Sequence, residues 1–225
     1  ANRSTKLKLL PYKKANANPF TADWNNFTAT RPAFLGTKVF IDYSLEDLID
    51  YIDWTPFFIT WSLAGKYPAI LNDEKVGEAA TDLFADAQAL LKKIVDEKLL
   101  TAKAVIGFWP ANKIADNDVQ LYATDESRAP LNKLHFLRQQ IPKEAELPNL
   151  CLADFIAPQS AENGTDYIGG FAVTTGIGAD ELATKYSAEN DDYTAIMVKA
   201  LADRLAEAFA EHMHERVRKE FWGFD

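Results

Sequence analysis

Apolar positions along the chain change their period three times, and each period predicts a different kind of element. Between Gly77 and Leu100, the residues Ala80, Leu83, Phe84, Ala87, Leu90, Leu91, Ile94 and Val95 recur at three- and four-residue spacing. That spacing makes one face of an amphipathic helix. From about Asp191 to Phe221 the same period returns. At 100° per residue Met197, Leu201, Leu205, Ala208, Phe209 and Met213 form one stripe on the longest predicted helix. The middle of the chain carries short apolar runs instead. Ala104–Pro110 and Val119–Tyr122 flank the turn-rich Asp116-Asn117-Asp118 and predict a hairpin. Residues 150–157 and 167–174 read as two further strands. Residues 134–140 read as a short helix that Pro142 stops. Gly176, Gly178 and Asp180 open a helix around residues 181–186, and Ser44 is placed to cap a short helix over Leu45–Ile52. Residues 1–20 are polar, rich in Lys and Asn, and unpatterned; they predict a linker or N-terminal arm, with the domain itself over 21–225. Strands bunched in the middle with helices at both ends predict an α+β fold.

Composition narrows the function classes. The chain has 225 residues and a formal net charge of −9, with a pI near 4.9. A nucleic-acid or anionic-membrane surface needs the opposite sign. The single cysteine, Cys151, sits between Leu150 and Leu152, which excludes an internal disulfide and predicts a buried, inert thiol. With no apolar run of about 18 residues and no secretory leader pattern, a reducing cytoplasm is the expected home. His212 and His214 lie two apart on the last helix and point roughly 200° from each other, so they cannot chelate one ion. No metal site is predicted. His212 falls on the apolar stripe as a packed core residue, and His214 on the polar side. The glycine-rich fingerprints of dinucleotide and phosphate sites and the nucleophile elbow of hydrolases are absent.

Two segments hold candidate chemistry. Tyr51–Pro68 is crowded with aromatics, and Asp53 is its only carboxylate after Tyr51, with no basic residue before Lys66. A carboxylate in apolar surroundings needs a protein or ligand partner, because leaving it desolvated and unpaired costs several kcal/mol. A helix N-cap or satisfied structural aspartate is the plainer alternative. On the last helix Asp203 and Glu207 share a face, continued by Glu211 and His214 and flanked by the small residues Ala202, Ala206 and Ala210. That flank leaves room for close approach by a ligand or another domain. A solvated charged face with Arg204, Arg216 and Arg218 nearby accounts for the same pattern.

Two stretches resemble a known family. Asp53-Trp54-Thr55-Pro56-Phe57-Phe58-Ile59-Thr60-Trp61 and the run from Ala202 to Glu211 (ADRLAEAFAE) are similar to the activation domain of cobalamin-dependent methionine synthase. Phe108-Trp109-Pro110-Ala111-Asn112, Leu137-Arg138-Gln139-Gln140, the run from Leu150 to Phe155 and the run from His214 to Lys219 add to the likeness, which extends from about Trp24 to Phe224. The resemblance implies a single C-shaped α+β domain with a twisted antiparallel sheet and flanking helices. It implies a role in which S-adenosylmethionine remethylates cob(II)alamin to methylcobalamin, with flavodoxin or a related flavoprotein supplying an electron. Cobalamin would be held mainly by a neighbouring domain. By the same resemblance Asp53 and Glu207 are donor-binding residues, one on the ammonium and the other on the ribose in an order left open, and Asp203 is a contact to the cobalamin domain. No catalytic acid or base is implied.

The family's Arg-Pro-x-Pro-Gly-Tyr-Pro element follows its Phe-Trp-Gly-Phe/Tyr segment and has no counterpart before Asp225. The expectation is therefore a domain missing its C-terminal part, with half a donor site and an inactive isolated chain. The rival reading is a docking module for a cobalamin domain and flavodoxin that does not bind the methyl donor.

Overall fold

The computed structural model describes residues 8–144, 146–161 and 164–223, so the first seven residues of the expected arm, together with Phe224 and Asp225, lie outside the described residues. In order, the elements are α1 (Tyr12–Asn16), β1 (Gly36–Tyr43), α2 (Thr55–Thr60), α3 (Gly77–Asp96), β2 (Thr101–Lys113), β3 (Asp118–Tyr122), β4 (Pro130–His135), β5 (Asp166–Ile177), α4 (Ala179–Ala188) and α5 (Asp192–Arg216), with short 3₁₀ turns between them. The strands form one sheet in the order β1-β2-β3-β4, with β5 also paired to β2. The α+β class, the antiparallel sheet and the long C-terminal helix are as the sequence predicts. The chain forms two compact units. Unit 1 comprises residues 1–37, 107–170 and 219–225, and unit 2 comprises 38–106 and 171–218.

Unit 1 holds the predicted hairpin. β2 and β3 pair antiparallel with Ala111 opposite Leu121 and Lys113 opposite Val119, and β4 follows with Leu134 opposite Val119. Ala111, Val119, Leu121, Cys151 and Ala153 make its core, so the lone thiol is buried as expected. A second apolar cluster seats Phe34 and Trp222 against Phe108, with Phe221 packed on Phe34. A Cβ on Gly169 would come within 2.6 Å of the Phe108 ring, so only glycine lets the strand approach. The arm expected at 1–20 carries α1 and is hydrogen-bonded into the unit through Leu10 to Gln140 and Asn18 to Asn149.

Unit 2 is built on helices. α3 buries Ala80, Leu83, Ala87, Leu90, Leu91 and Ile94, and every apolar member of the predicted α5 stripe is buried. Asp191 caps α5 by accepting the Thr194 N–H at 3.0 Å. At 25 residues, α5 is about 37 Å long. No helix among the described residues is long and apolar enough to cross a membrane.

Three expectations are corrected. Residues 134–140 are not helical: Leu134 and His135 complete β4, and the Gln139 N–H donates to the Leu150 carbonyl. Backbone groups that a helix would close on itself are taken by distant partners. Residues 150–157 form a 3₁₀ turn over Leu152–Phe155 rather than a strand, because the Asp154 carboxylate reaches back to the Cys151 N–H at 3.2 Å. The helix after Ser44 is a 3₁₀ turn over Glu46–Tyr51, with Ser44 Oγ accepting from Asp47 at 3.4 Å. β1 has no counterpart in the sequence expectation.

Candidate functional site

The aromatic segment after Tyr51 divides its side chains between two environments. Pro56 stands in the first turn of α2, where its missing N–H costs nothing and its fixed φ suits the helix. The helix stops at Ser62, whose φ of 60° is left-handed. Trp54, Phe57 and Phe58 are buried, with Trp54 edge-on to Phe57 at 5.4 Å and to Phe84 at 5.0 Å. Asp53, in contrast, is exposed. Its Oδ1 accepts the Thr55 N–H at 2.9 Å, so one oxygen does the local turn work of the plainer reading. Oδ2 has no hydrogen bond among the described residues.

The direction of this segment is set by α5. Tyr51 donates a hydrogen bond to Glu215 and stacks edge-on against His212 at 4.7 Å, while Trp61 packs on Tyr193 at 5.0 Å. The chain from 51 to 61 therefore runs antiparallel to α5. Asp53 belongs to this stretch, between the contacts that Tyr51 and Trp61 make with α5. No hydrogen bond or ion pair joins Asp53 to Glu207 among the described residues.

On α5 the predicted carboxylates are exposed: the Asp203 side chain is 72% and that of Glu207 61% accessible. Arg204 lies between them at 11% accessibility. Its Nη2 donates to Asp203 Oδ2 at 2.6 Å, and its Nη1 lies 2.8 Å from Glu207 Oε2. Burial works against the Arg204 charge, but the Asp203 hydrogen bond and the Glu207 charge prevail and raise its pKa. Of the flanking small residues, Ala202 is buried and accepts a hydrogen bond from the Thr175 hydroxyl at 2.8 Å. The whole formal net charge of −9 falls on the segments of unit 2, since Lys and Arg balance Asp and Glu in unit 1. A cationic ligand is thus favoured at this unit.

Sequence reasoning did not find the polar cluster at the end of α5. His212 Nε2 lies 2.8 Å from the Tyr43 hydroxyl, and Arg216 donates to the same oxygen at 2.9 Å. His212, expected as a packed core residue, is instead half-buried in this polar cluster, whereas His214 is exposed as predicted. No local signal links Tyr43 to His212, because they are 169 residues apart. No group of three metal-ligating side chains occurs among the described residues.

Two of the sequence motifs serve structure in unit 1. Arg138, from the Leu-Arg-Gln-Gln run, is buried and grips Asp154 with both terminal nitrogens, at 2.6 and 2.7 Å. It also donates to Asn16, Asn117 and the Asn149 and Asp116 carbonyls. Lys113 adds an ion pair to Asp154 at 2.9 Å. Burial opposes ionisation of Asp154, and the hydrogen bonds from Arg138 and Lys113 overcome it, holding its pKa at about 2.

Comparison with known proteins shows the family. Residues 44–225 match the family described as vitamin B12 dependent methionine synthase, activation domain. A crystal structure of the MetH reactivation domain bound to AdoHcy is similar at 49% identity with a TM-score of 0.89, over 96% of this chain. The chain spans 65% of the length of that relative.

Proposed function

The chain belongs to the activation-domain family of vitamin B12 dependent methionine synthases, and from that premise we propose that it binds S-adenosylmethionine for the reductive remethylation of oxidised cobalamin in methionine biosynthesis. On this reading it is part of a methyltransferase that carries a methyl group from methyltetrahydrofolate to homocysteine in the cytoplasm. Its partners are the cobalamin-binding domain of the same enzyme and flavodoxin or a related flavoprotein.

One observation carries the reading: exposed carboxylates on two adjoining elements of the acidic unit, Asp53 before α2 and Glu207 on α5, each keep an oxygen without a protein partner among the described residues. S-adenosylmethionine presents an ammonium, ribose hydroxyls and a sulfonium, and carboxylates bind such groups by charge-assisted hydrogen bonds. The AdoHcy held by the similar MetH domain shares the ammonium and ribose, which supports a donor-binding role for this domain. When bound, the donor supplies an electrophilic methyl group. The part of this chain is to hold and orient it, and positioning alone can lower such a barrier substantially. Asp53 and Glu207 are binding residues in this account and move no proton. Asp203, one turn before Glu207, faces the cobalamin domain.

Calorimetric titration of the full-length protein with S-adenosylmethionine and with S-adenosylhomocysteine tests the assignment. A hydrogen bond to a charged group contributes about 1.5–3 kcal/mol, so Asp53→Asn and Glu207→Gln should each weaken binding about 10- to 100-fold. Unchanged affinity in both variants refutes the assignment. Failure of the unaltered protein to bind either ligand, with binding to a cobalamin domain retained, favours the docking reading instead.

A further inference from the structure

We propose that Arg204 is a positioning residue that ties down one oxygen of Glu207 and turns the other outward for the methyl donor; the functional half of this inference rests on the donor-binding reading above. The side chain of Arg204 is nearly buried, whereas both carboxylates it meets are mostly exposed. That is the reverse of an ordinary surface ion pair, in which both partners sit in water and the gain is small. Nη2 is engaged by Asp203 at 2.6 Å. Nη1 is shielded from solvent and makes no aligned hydrogen bond among the described residues; Glu207 Oε2, at 2.8 Å, is the acceptor it is paired with. A solvent-shielded cationic donor draws an acceptor to itself, because leaving it unpaired is costly. Glu207 Oε2 is consequently held against the helix, and Oε1 is left to accept from a ligand.

The fork geometry matters as much as the charge. One planar guanidinium spans Asp203, its neighbour in sequence, and Glu207, three residues on. A lysine ammonium is a point charge on a flexible stem and does not hold two carboxylates in one fixed plane. A free glutamate side chain on a helix surface samples many rotamers and loses that freedom on binding. Arg204 removes part of the loss beforehand, which is how preorganisation raises affinity.

Two measurements on the full-length protein decide the proposal. In the absence of ligand, ¹³C relaxation of the Glu207 γ-methylene should show an ordered side chain that becomes mobile in Arg204→Met and is only partly restored in Arg204→Lys. Equal mobility in the unaltered protein and Arg204→Met overturns the proposal. In calorimetry, Arg204→Met should weaken S-adenosylhomocysteine binding about tenfold, and by less than about twofold when Glu207→Gln is already present. The same tenfold loss in both backgrounds means that Arg204 acts through the fold and refutes the positioning role. If Glu207→Gln alone leaves affinity unchanged, the donor-binding reading fails, and the relaxation experiment still decides whether Arg204 holds Glu207.

Discussion

Asp154→Ala should be among the most destabilising single changes in unit 1, and the structure says by roughly how much. Asp154 is 2% exposed and Arg138 4%, so neither has water to replace a lost partner. Arg138 and Lys113 hold the Asp154 pKa at about 2, below the ordinary 3.8, which at about 1.36 kcal/mol per unit corresponds to roughly 2 kcal/mol favouring the ionised form. Removing the carboxylate also leaves the Arg138 charge buried beside neutral acceptors only, and breaking a buried pair typically costs about 3–5 kcal/mol. Arg138→Met should cost less, because Lys113 remains 2.9 Å from Asp154 and is itself partly solvated. The double variant should cost less than the two single losses added together, with a coupling of about 2 kcal/mol.

Urea denaturation at pH 7, followed by far-ultraviolet circular dichroism, gives these differences from the midpoint shift at constant slope. The sign with pH is fixed. The folded pKa is depressed, so the stabilisation is complete above pH 4 and is lost as pH falls from about 4 towards 2. Asp154→Asn should lack that part of the acid dependence. Additive single losses, or the same acid dependence in Asp154→Asn, would refute the reasoning. Because Arg138 also holds Asn16 at 2.9 Å, hydrogen exchange at Leu10 should quicken in Arg138→Met.

Other expectations concern the core and one tyrosine. Phe58→Ala empties a fully buried site in unit 2 and should lower stability by about 3–5 kcal/mol in the same urea assay. Gly169→Ala drives a Cβ to 2.6 Å from the Phe108 ring and should cost about 1–3 kcal/mol, with Phe108→Leu in the same chain recovering part of it. Burial and its 2.9 Å hydrogen bond to Asp86 push the Tyr193 hydroxyl up to about 12. Ultraviolet titration should therefore show a late phenolate step that disappears in Tyr193→Phe.

Periodicity was enough to place the two long helices, the hairpin and β5, since a stripe at 3.6 residues or an apolar run bounded by turn residues reports burial directly. For Asp53 and Glu207 pattern left the plainer readings open, and their candidacy as donor-binding residues came from the family resemblance. What periodicity could not give was decided at long range. Residues 134–140 became a strand end and loop because β3 and Leu150 took their backbone groups. Residues 150–157 turned back on themselves because Arg138 and Lys113 stabilise an ionised Asp154. The same holds at the site. Sequence read Asp53 as a carboxylate among aromatics, but folding buried Trp54, Phe57 and Phe58 and left Asp53 in solvent. It read Arg204 as part of a charged face, but packing on α5 shielded the guanidinium and set it between Asp203 and Glu207. Local spacing fixes which side of an element a residue occupies; which partner meets it depends on chain segments that can lie 173 residues away.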